Sequence, residues 1–237
     1  MDLKDIKEIS IYDRAEFLDE LNKQLVIDPA RTAVVTVEMT KRRLNDQTPL
    51  PEGGVASLLN NTEVLLSMAR SSQIPVIHVM SGLREVEVKF QEKSKWNVAM
   101  KKAGASISPY GEVPNEYVEA QDGTIEPDFT IDVADTDYII KTKKALSSFY
   151  QTDLEWLLKT LERDYLILTG LSSNADILST AYDASNKGLG VLTVKECVAS
   201  IYGEDLNTLA LQQLARCQGI VIDLETFSSK ISAKITA

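Results

Sequence analysis

The chain has 237 residues, 44% of them hydrophobic, so it can build one large core in a single domain spanning 1–237. Twenty-five Lys and Arg against 35 Asp and Glu give a formal net charge of −10. Such an acidic chain repels phosphate backbones and anionic membranes, which argues against nucleic acid and membrane partners and favours a small-molecule substrate.

The start of the chain, MDLKDIKEIS, is polar and acidic, unlike a secretory signal, and no apolar run approaches the roughly 20 residues of a membrane span. Only two cysteines occur, Cys197 and Cys217. We therefore expect a cytoplasmic protein with reduced thiols.

In chain order, the first predicted element is a helix at about residues 13–25, within an N-terminal helical arm, 1–30, that packs across the domain or against a neighbouring subunit. Six short apolar runs rich in β-branched residues then predict strands, at 32–39, 74–81, 137–142, 164–170, 190–196 and 219–223. Segments with helical spacing alternate with them, at 55–72, 152–162, 174–187 and 205–218. We predict an α/β fold: a doubly wound, Rossmann-like, mostly parallel six-stranded sheet with helices on both faces.

Residues 82–130 interrupt this alternation with scattered charges, Gly and Pro. So long a segment without periodicity inside a compact domain is typical of a functional insertion. We predict an irregular lid or subunit contact there, in a homo-oligomer.

Three charged residues fall at or near the carboxyl ends of predicted strands, where chemistry gathers in open parallel sheets. Glu38 ends the first strand, Lys143 follows the third, and Asp176 lies in the first turn of the helix after the fourth. Each also has an ordinary structural interpretation. The glutamate can cap a loop, the lysine in KTKK can be solvated, and the aspartate can compensate a helix dipole.

The motifs around these residues are similar to those of a known protein superfamily. VVTVEMT ends the first strand, KKALSSFYQTDLEWLL holds Lys143 and Phe149, and GLSSNADILSTAYDA holds Asn174 and Asp176. Over about residues 30–223 the chain resembles the isochorismatase-like, or cysteine hydrolase, superfamily, and SSFYQTDLEWLL is most similar to its biuret-hydrolase-like amidohydrolase branch. The resemblance implies the fold predicted above, hydrolase activity on a small polar metabolite without a cofactor, and assembly as a dimer or tetramer.

The resemblance also implies a catalytic set from which this chain departs. The superfamily uses a cysteine nucleophile, an aspartate base and a lysine, and here Asp176 stands at the cysteine position and Glu38 at the aspartate position, with Lys143 retained. Cys197 and Cys217 are most simply small core hydrophobes. We expect Glu38, Lys143 and Asp176 to share a net charge near −1 and to act as a carboxylate and lysine acid–base set, or with Asp176 as a carboxylate nucleophile.

Further site residues come from the same resemblance. It places backbone N–H groups of Ser172 and Asp176 at an oxyanion site, beside a cis peptide between Leu171 and Ser172, and suggests substrate contacts for Ser172, Asn174 and Phe149. No metal site is expected, because EMTKRR lacks the Asp-x-His motif of some branches. We expect His78, the one histidine of the sequence, to be a hydrogen-bonded core residue.

Two alternatives remain open from the sequence. The basic run KRR, residues 41–43, is either a solvated loop or an attractor for an anionic substrate. The whole protein is either an enzyme or an inactive family member that binds a metabolite or serves as a scaffold. An enzyme needs Glu38 and Asp176 in one accessible pocket with separated pKa values, whereas a scaffold predicts an occluded pocket or an ion pair that saturates Lys143.

Overall fold

The computed structural model describes residues 12–104, 106–111 and 127–232, and within these ranges six strands form one sheet. The strands are β1 Thr32–Val37, β2 Val76–Ser81, β3 Tyr138–Lys143, β4 Tyr165–Leu171, β5 Gly190–Ala199 and β6 Ile220–Ile222. Their order is β3-β2-β1-β4-β5-β6, and every neighbouring pair is parallel. The predicted doubly wound parallel sheet is therefore confirmed.

The helices are α1 Ala15–Gln24, α2 Gly54–Ser71, α3 Glu85–Glu92, α4 Lys95–Ala103, α5 Leu154–Thr160, α6 Leu178–Asn186, α7 Glu204–Gln213 and α8 Leu224–Ser232. A π-helical turn, Ser173–Ile177, leads into α6, and a second one, Leu214–Gln218, follows α7. None of the helices in the described ranges is both long and apolar enough to span a bilayer.

Two apolar layers cover the two faces of the sheet. Leu65 and Leu66 of α2 and Phe227 of α8 pack on one face, and Leu154 and Leu158 of α5 pack on the other. All six residues of β1 are buried, because this strand lies in the interior of the sheet with helices above and below it. The near-continuous hydrophobic runs of the sequence follow from this two-sided burial.

The segment predicted to be irregular contains two helices, so that prediction is wrong for residues 85–103. Local signals begin and end them: the Arg84 amide donates to the Glu87 carboxylate at 2.7 Å, Ser94 Oγ accepts from the Asn97 amide, and Gly104 ends α4 with φ +65°. Only Val88 of these two helices is buried. The apolar stripe that usually reveals a helix is therefore missing.

Parts of the sequence-based predictions lie outside the described residues. These are positions 1–11 of the N-terminal arm, positions 105 and 112–126 of the 82–130 insertion, and the side chain of Cys217. The remaining part of the arm includes α1, which contacts β6 of the same chain.

Candidate active site

The site begins where the strand order reverses, between β1 and β4, at the carboxyl ends of the strands. Glu38 directly follows β1 with φ +57°, in the left-handed region, where a non-glycine residue costs about 1–2 kcal/mol. Its amide donates to the Val79 carbonyl at 2.9 Å, which ties the bend to β2. Gly170 of β4 makes the close approach possible, because a Cβ there would lie 2.1 Å from the Val37 carbonyl oxygen.

Glu38, Lys143 and Asp176 meet, as the family resemblance implied. Lys143 Nζ lies 3.1 Å from Glu38 Oε1 and 2.5 Å from Asp176 Oδ1, and each of the three side chains is at most 3% exposed. Lys143 is the last residue of β3 and Asp176 belongs to the π-helical turn after β4, so strand ends on both sides of β1 supply the group. Ser81, at the end of β2, donates a hydrogen bond to Glu38 Oε1.

A second buried cation, Arg43, joins this group, and the sequence analysis did not place it there. Arg43 Nη2 lies 3.8 Å from Asp176 Oδ2, and its side chain is 5% exposed. A turn in which the Arg43 amide donates to the Thr40 carbonyl folds it inward, whereas Lys41 stays exposed. The solvated-loop interpretation of KRR is therefore wrong for Arg43. Among the described residues the group therefore holds two cations and two carboxylates, whereas the sequence analysis expected one cation and two carboxylates with a net charge near −1.

The two carboxyl groups have opposite pKa shifts. Burial raises the pKa of Glu38, but Lys143, Arg43 and the Ser81 hydroxyl together outweigh it and lower that pKa to about 2. Burial also raises the pKa of Asp176, and there the neighbouring cations do not overcome it, since the Glu38 anion adds to the increase. Burial lowers the pKa of Lys143, but Glu38 and Asp176 outweigh that effect and raise it. Glu38 and Lys143 are therefore the charged pair, and Asp176 is the carboxyl nearest to a protonated state.

A pocket of about 260 Å³ opens onto this group. Arg43, Ser81, Lys143 and Asp176 line its inner part, and Glu38 is not among the lining residues. The outer wall consists mainly of residues from α3, α4 and the loops beside them: Leu83, Phe90, Gln91, Ser94, Trp96, Asn97, Lys144, Ala145 and Leu146. The described part of the 82–130 insertion therefore covers the site.

The family profile of the Isochorismatase domain matches residues 32–226, a range that contains the four residues of the charged group. The chain belongs to the isochorismatase family. Its sequence is 29% identical over 149 residues to the uncharacterized isochorismatase family protein YaaI of Bacillus subtilis, covering 62% of this chain and 67% of that one. It is 23% identical over 170 residues to N-carbamoylsarcosine amidase of an Arthrobacter species, covering 71% of this chain and 59% of the amidase, which is less than two thirds of its length.

Solved structures of the isochorismatase family share the fold. A cysteine hydrolase from Pseudomonas syringae pv. phaseolicola superposes with a TM-score of 0.67 at 20% identity, covering 89% of this chain and 96% of that one. N-carbamoylsarcosine amidase from Thermoplasma acidophilum gives 0.57 at 20% identity, covering 82% and 97%. At identities this low, the similarity shows a shared fold and nothing beyond it.

Three further residues were predicted to contact substrate in this isochorismatase-family site. The Ser172 amide donates to Asp176 Oδ2 at 3.3 Å, and the peptide bond between Leu171 and Ser172 is cis, as expected. Asn174 Oδ1 accepts from the Ser200 hydroxyl at 2.7 Å, and Phe149 packs in the core with Lys187 Nζ 5.6 Å from its ring centre. None of these three lines the pocket, so their contact with substrate stays a prediction.

The thiol and the histidine have structural roles. Cys197 is buried in the core, and burial, together with Glu196, raises its pKa to about 12. His78 is fully buried, with Nδ1 2.8 Å from Thr36 Oγ1 and Nε2 3.0 Å from Asp137 Oδ2, as expected for a hydrogen-bonded core residue. Over the ranges that the structure covers, no three His, Cys, Asp or Glu side chains are grouped so as to hold a metal ion.

Proposed function

We propose that this isochorismatase-family protein is a hydrolase of a small polar metabolite that works by carboxylate and lysine chemistry, with Asp176 exchanging a proton with the substrate. One observation carries the proposal: Asp176 lines the pocket and its pKa is raised, whereas Glu38 lies behind it and is held as an anion. Two carboxyl groups whose pKa values are driven apart are the usual basis for separate acid and base roles.

The proposed reaction adds water across one bond. Asp176 in its acid form donates its proton to the leaving atom as the scissile bond breaks, water adds to the carbon left behind, and the Asp176 carboxylate takes a proton from that water. The cycle returns Asp176 to its acid form and consumes one water molecule.

Lys143 and Glu38 support this exchange. Lys143 Nζ, 2.5 Å from Asp176 Oδ1, stabilises the carboxylate that forms when Asp176 gives up its proton. Glu38 keeps Lys143 protonated and fixes its position at 3.1 Å. An Asp176 nucleophile is less well supported, because Lys143 and the Ser172 amide engage both carboxylate oxygens.

The relatives suggest which bonds to test first. An amidase of N-carbamoylsarcosine is among them, and solved family structures include a pyrazinamidase/nicotinamidase from Streptococcus mutans. The first compounds to test are therefore amides and ureas. Vinyl ethers are added because their cleavage by isochorismatase-type members of the superfamily needs no cysteine. We further propose a cytoplasmic homo-oligomer, dimer or tetramer, with no nucleic acid or membrane partner.

A second candidate function has its own observation. Lys143 contacts both carboxylates directly, and Glu38 is absent from the pocket lining, the arrangement expected of an inactive metabolite-binding or scaffold protein. In that case the charged group serves only to hold the strand ends together and to shape the pocket.

The test compares the wild type with Asp176→Asn and, as a matched control, Asp183→Asn, which removes the same charge from α6 outside the pocket. Each protein is incubated with a metabolite extract and a panel of amides, ureas and vinyl ethers, and consumption is followed by mass spectrometry. Hydrolysis by the wild type and the control, reduced at least about a hundredfold in Asp176→Asn, supports the enzyme. If none of the three proteins consumes any compound, the result supports the binding or scaffold protein. If all three consume a compound equally, Asp176 takes no part in the reaction.

A further inference from the structure

We infer that Gln91 determines which compounds bind in the pocket, because its side-chain oxygen accepts a hydrogen bond from a neutral N–H group of the ligand. Gln91 belongs to α3, in the segment that forms the outer wall, and it is not a member of the charged group at the inner end. The identity of the bound compound as a substrate rests on the proposed function. The binding itself requires no hydrolysis.

Hydrogen bonds fix the orientation of the Gln91 side-chain amide. Its Nε2 donates to the main-chain carbonyl of Lys144 at 2.9 Å. Because a carbonyl oxygen only accepts hydrogen bonds, the amide nitrogen must face Lys144, and Oε1 remains the acceptor. Asn97, on α4, is oriented in the same way, since its Nδ2 donates to the main-chain carbonyl of Gln91 at 2.7 Å. Both side-chain amides of the outer wall therefore keep their oxygens as acceptors.

The acceptor of Gln91 lacks a donor. Its Oε1 is shielded from solvent and, among the described residues, receives no hydrogen bond. A buried acceptor that has lost water and gained no partner is destabilising, so native structures rarely leave one unpaired. Gln91 lines the pocket, and a ligand bound there lies beside it. An N–H group of the ligand supplies the missing hydrogen bond, whereas a methyl group in its place leaves the oxygen unpaired.

The other lining residues favour a neutral donor over a cationic one. Lys143 and Lys144 line the same pocket, and their ammonium groups repel a ligand cation. Asp176 is the one acidic residue among the described lining residues, and Lys143 already contacts it at 2.5 Å. Phe90 and Trp96 add aromatic rings to the wall, so a planar group beside the N–H fits the volume of about 260 Å³.

Benzamide, acetophenone and benzamidine test this assignment, because each carries a planar ring with a group of similar size. Benzamide has a neutral NH2 group, acetophenone has a methyl group in its place, and benzamidine is a cation. Ligand-observed NMR with the wild type at neutral pH measures each Kd and also reveals any hydrolysis of benzamide to benzoate.

We expect the Kd for benzamide to be at least about fivefold lower than that for acetophenone, and lower than that for benzamidine. Equal Kd values for benzamide and acetophenone, tighter binding of benzamidine, or no binding of benzamide up to ~10 mM would overturn the inference.

Variants then test the role of Gln91 itself. Gln91→Met keeps the length of the side chain and removes the acceptor, so the Kd for benzamide should rise to within about twofold of that for acetophenone. The Kd for acetophenone should change by less than about twofold, because the pocket keeps its shape. Gln24→Met, at the exposed end of α1 outside the pocket, is the matched control and should keep the preference.

Two outcomes would contradict this role. A preference for benzamide that survives in Gln91→Met would mean that another group, such as Asp176, accepts from the N–H group. Weaker binding of both probes in Gln91→Met would mean that Gln91 only holds α3 against the loop after β3.

These measurements separate the two proposals. A preference for benzamide that needs Gln91, in a protein that hydrolyses nothing, would contradict the proposed function and leave the role of Gln91 intact. Hydrolysis that needs Asp176, together with equal Kd values for benzamide and acetophenone, would do the reverse.

Discussion

Replacing Lys143 with methionine should destabilise the fold strongly, because it removes the cation that two buried carboxyl groups share. Methionine is close to lysine in length and brings no charge. Among the described residues, Glu38, 1% exposed, would then keep Arg43 and the Ser81 hydroxyl as its favourable partners. Asp176, whose pKa is already raised, can take up a proton, so most of the cost falls on Glu38.

Two independent routes give the magnitude. Removing one partner of a buried ion pair costs about 3–5 kcal/mol. The pKa of Glu38 is lowered from 4.5 to about 2, and at about 1.36 kcal/mol for each pKa unit this corresponds to about 3 kcal/mol of stability, of which Lys143 is the largest favourable source. We therefore expect Lys143→Met to lower the free energy of unfolding by about 3 kcal/mol at neutral pH.

The pH dependence has a definite sign. Because the pKa of Glu38 is lower in the folded chain than in the unfolded chain, its stabilisation is present above pH 4.5 and is lost as the pH falls towards about 2. Without Lys143 this depression largely disappears, since burial alone raises the pKa of Glu38. The difference in unfolding free energy between wild type and Lys143→Met should thus shrink by more than half at about pH 3.

Urea denaturation followed by circular dichroism, at neutral pH and at about pH 3, measures this difference. Lys141→Met, on the same strand but outside the charged group, should stay within about 0.5 kcal/mol of the wild type. The double variant Glu38→Gln with Lys143→Met should recover part of the loss. A loss below about 1 kcal/mol at neutral pH, or a difference that grows on acidification, would refute the reasoning.

Three further predictions concern the residues around the site. Gly170→Ala should lower the free energy of unfolding by at least about 3 kcal/mol in urea denaturation, since its Cβ would meet the Val37 carbonyl oxygen and its φ is +113°. The Cys197 thiol, with its pKa raised to about 12, should resist iodoacetamide in the folded protein and react in urea, as measured by peptide mass spectrometry. Burial lowers the pKa of His78, so the stability advantage of wild type over His78→Gln should decrease as the pH falls below 6.5, because the unfolded chain takes up the proton first.

Each of these has a contrary outcome. Gly188→Ala is the control for Gly170, because it has φ +76° with no atom within 4 Å of a Cβ, and we expect it to cost only about 1 kcal/mol. Equal costs at the two positions would mean that the contact with Val37 is unimportant. Rapid alkylation of folded Cys197 would contradict its burial, and an advantage of His78 that grows on acidification would mean that its pKa is raised.

The local pattern of hydrophobic residues predicts most of the strands and helices of the fold. Each of the six strands was predicted within a few residues, because a strand buried on both faces must be apolar along its whole length. Helix α8 was not predicted, although Leu224, Phe227 and Ile231 have helical spacing and all pack in the core or against it. Helices α3 and α4 were not predicted because they bury almost nothing, so their sequences lack an apolar stripe.

For the site, the sequence by itself determined which charged residues lie at or near the carboxyl ends of the strands, an edge that parallel strands share. The expectation that Glu38, Lys143 and Asp176 meet there came from the family resemblance. Tertiary structure alone decided the strand order, the burial of Arg43, and the opposite pKa shifts of Glu38 and Asp176. Those shifts depend on the burial of each carboxyl group, on its distances to two cations, one from β3 and one from the loop after β1, and on its distance to the other carboxyl group, since the Glu38 anion raises the pKa of Asp176. Such distances arise from contacts between residues far apart in the chain, which no local pattern encodes.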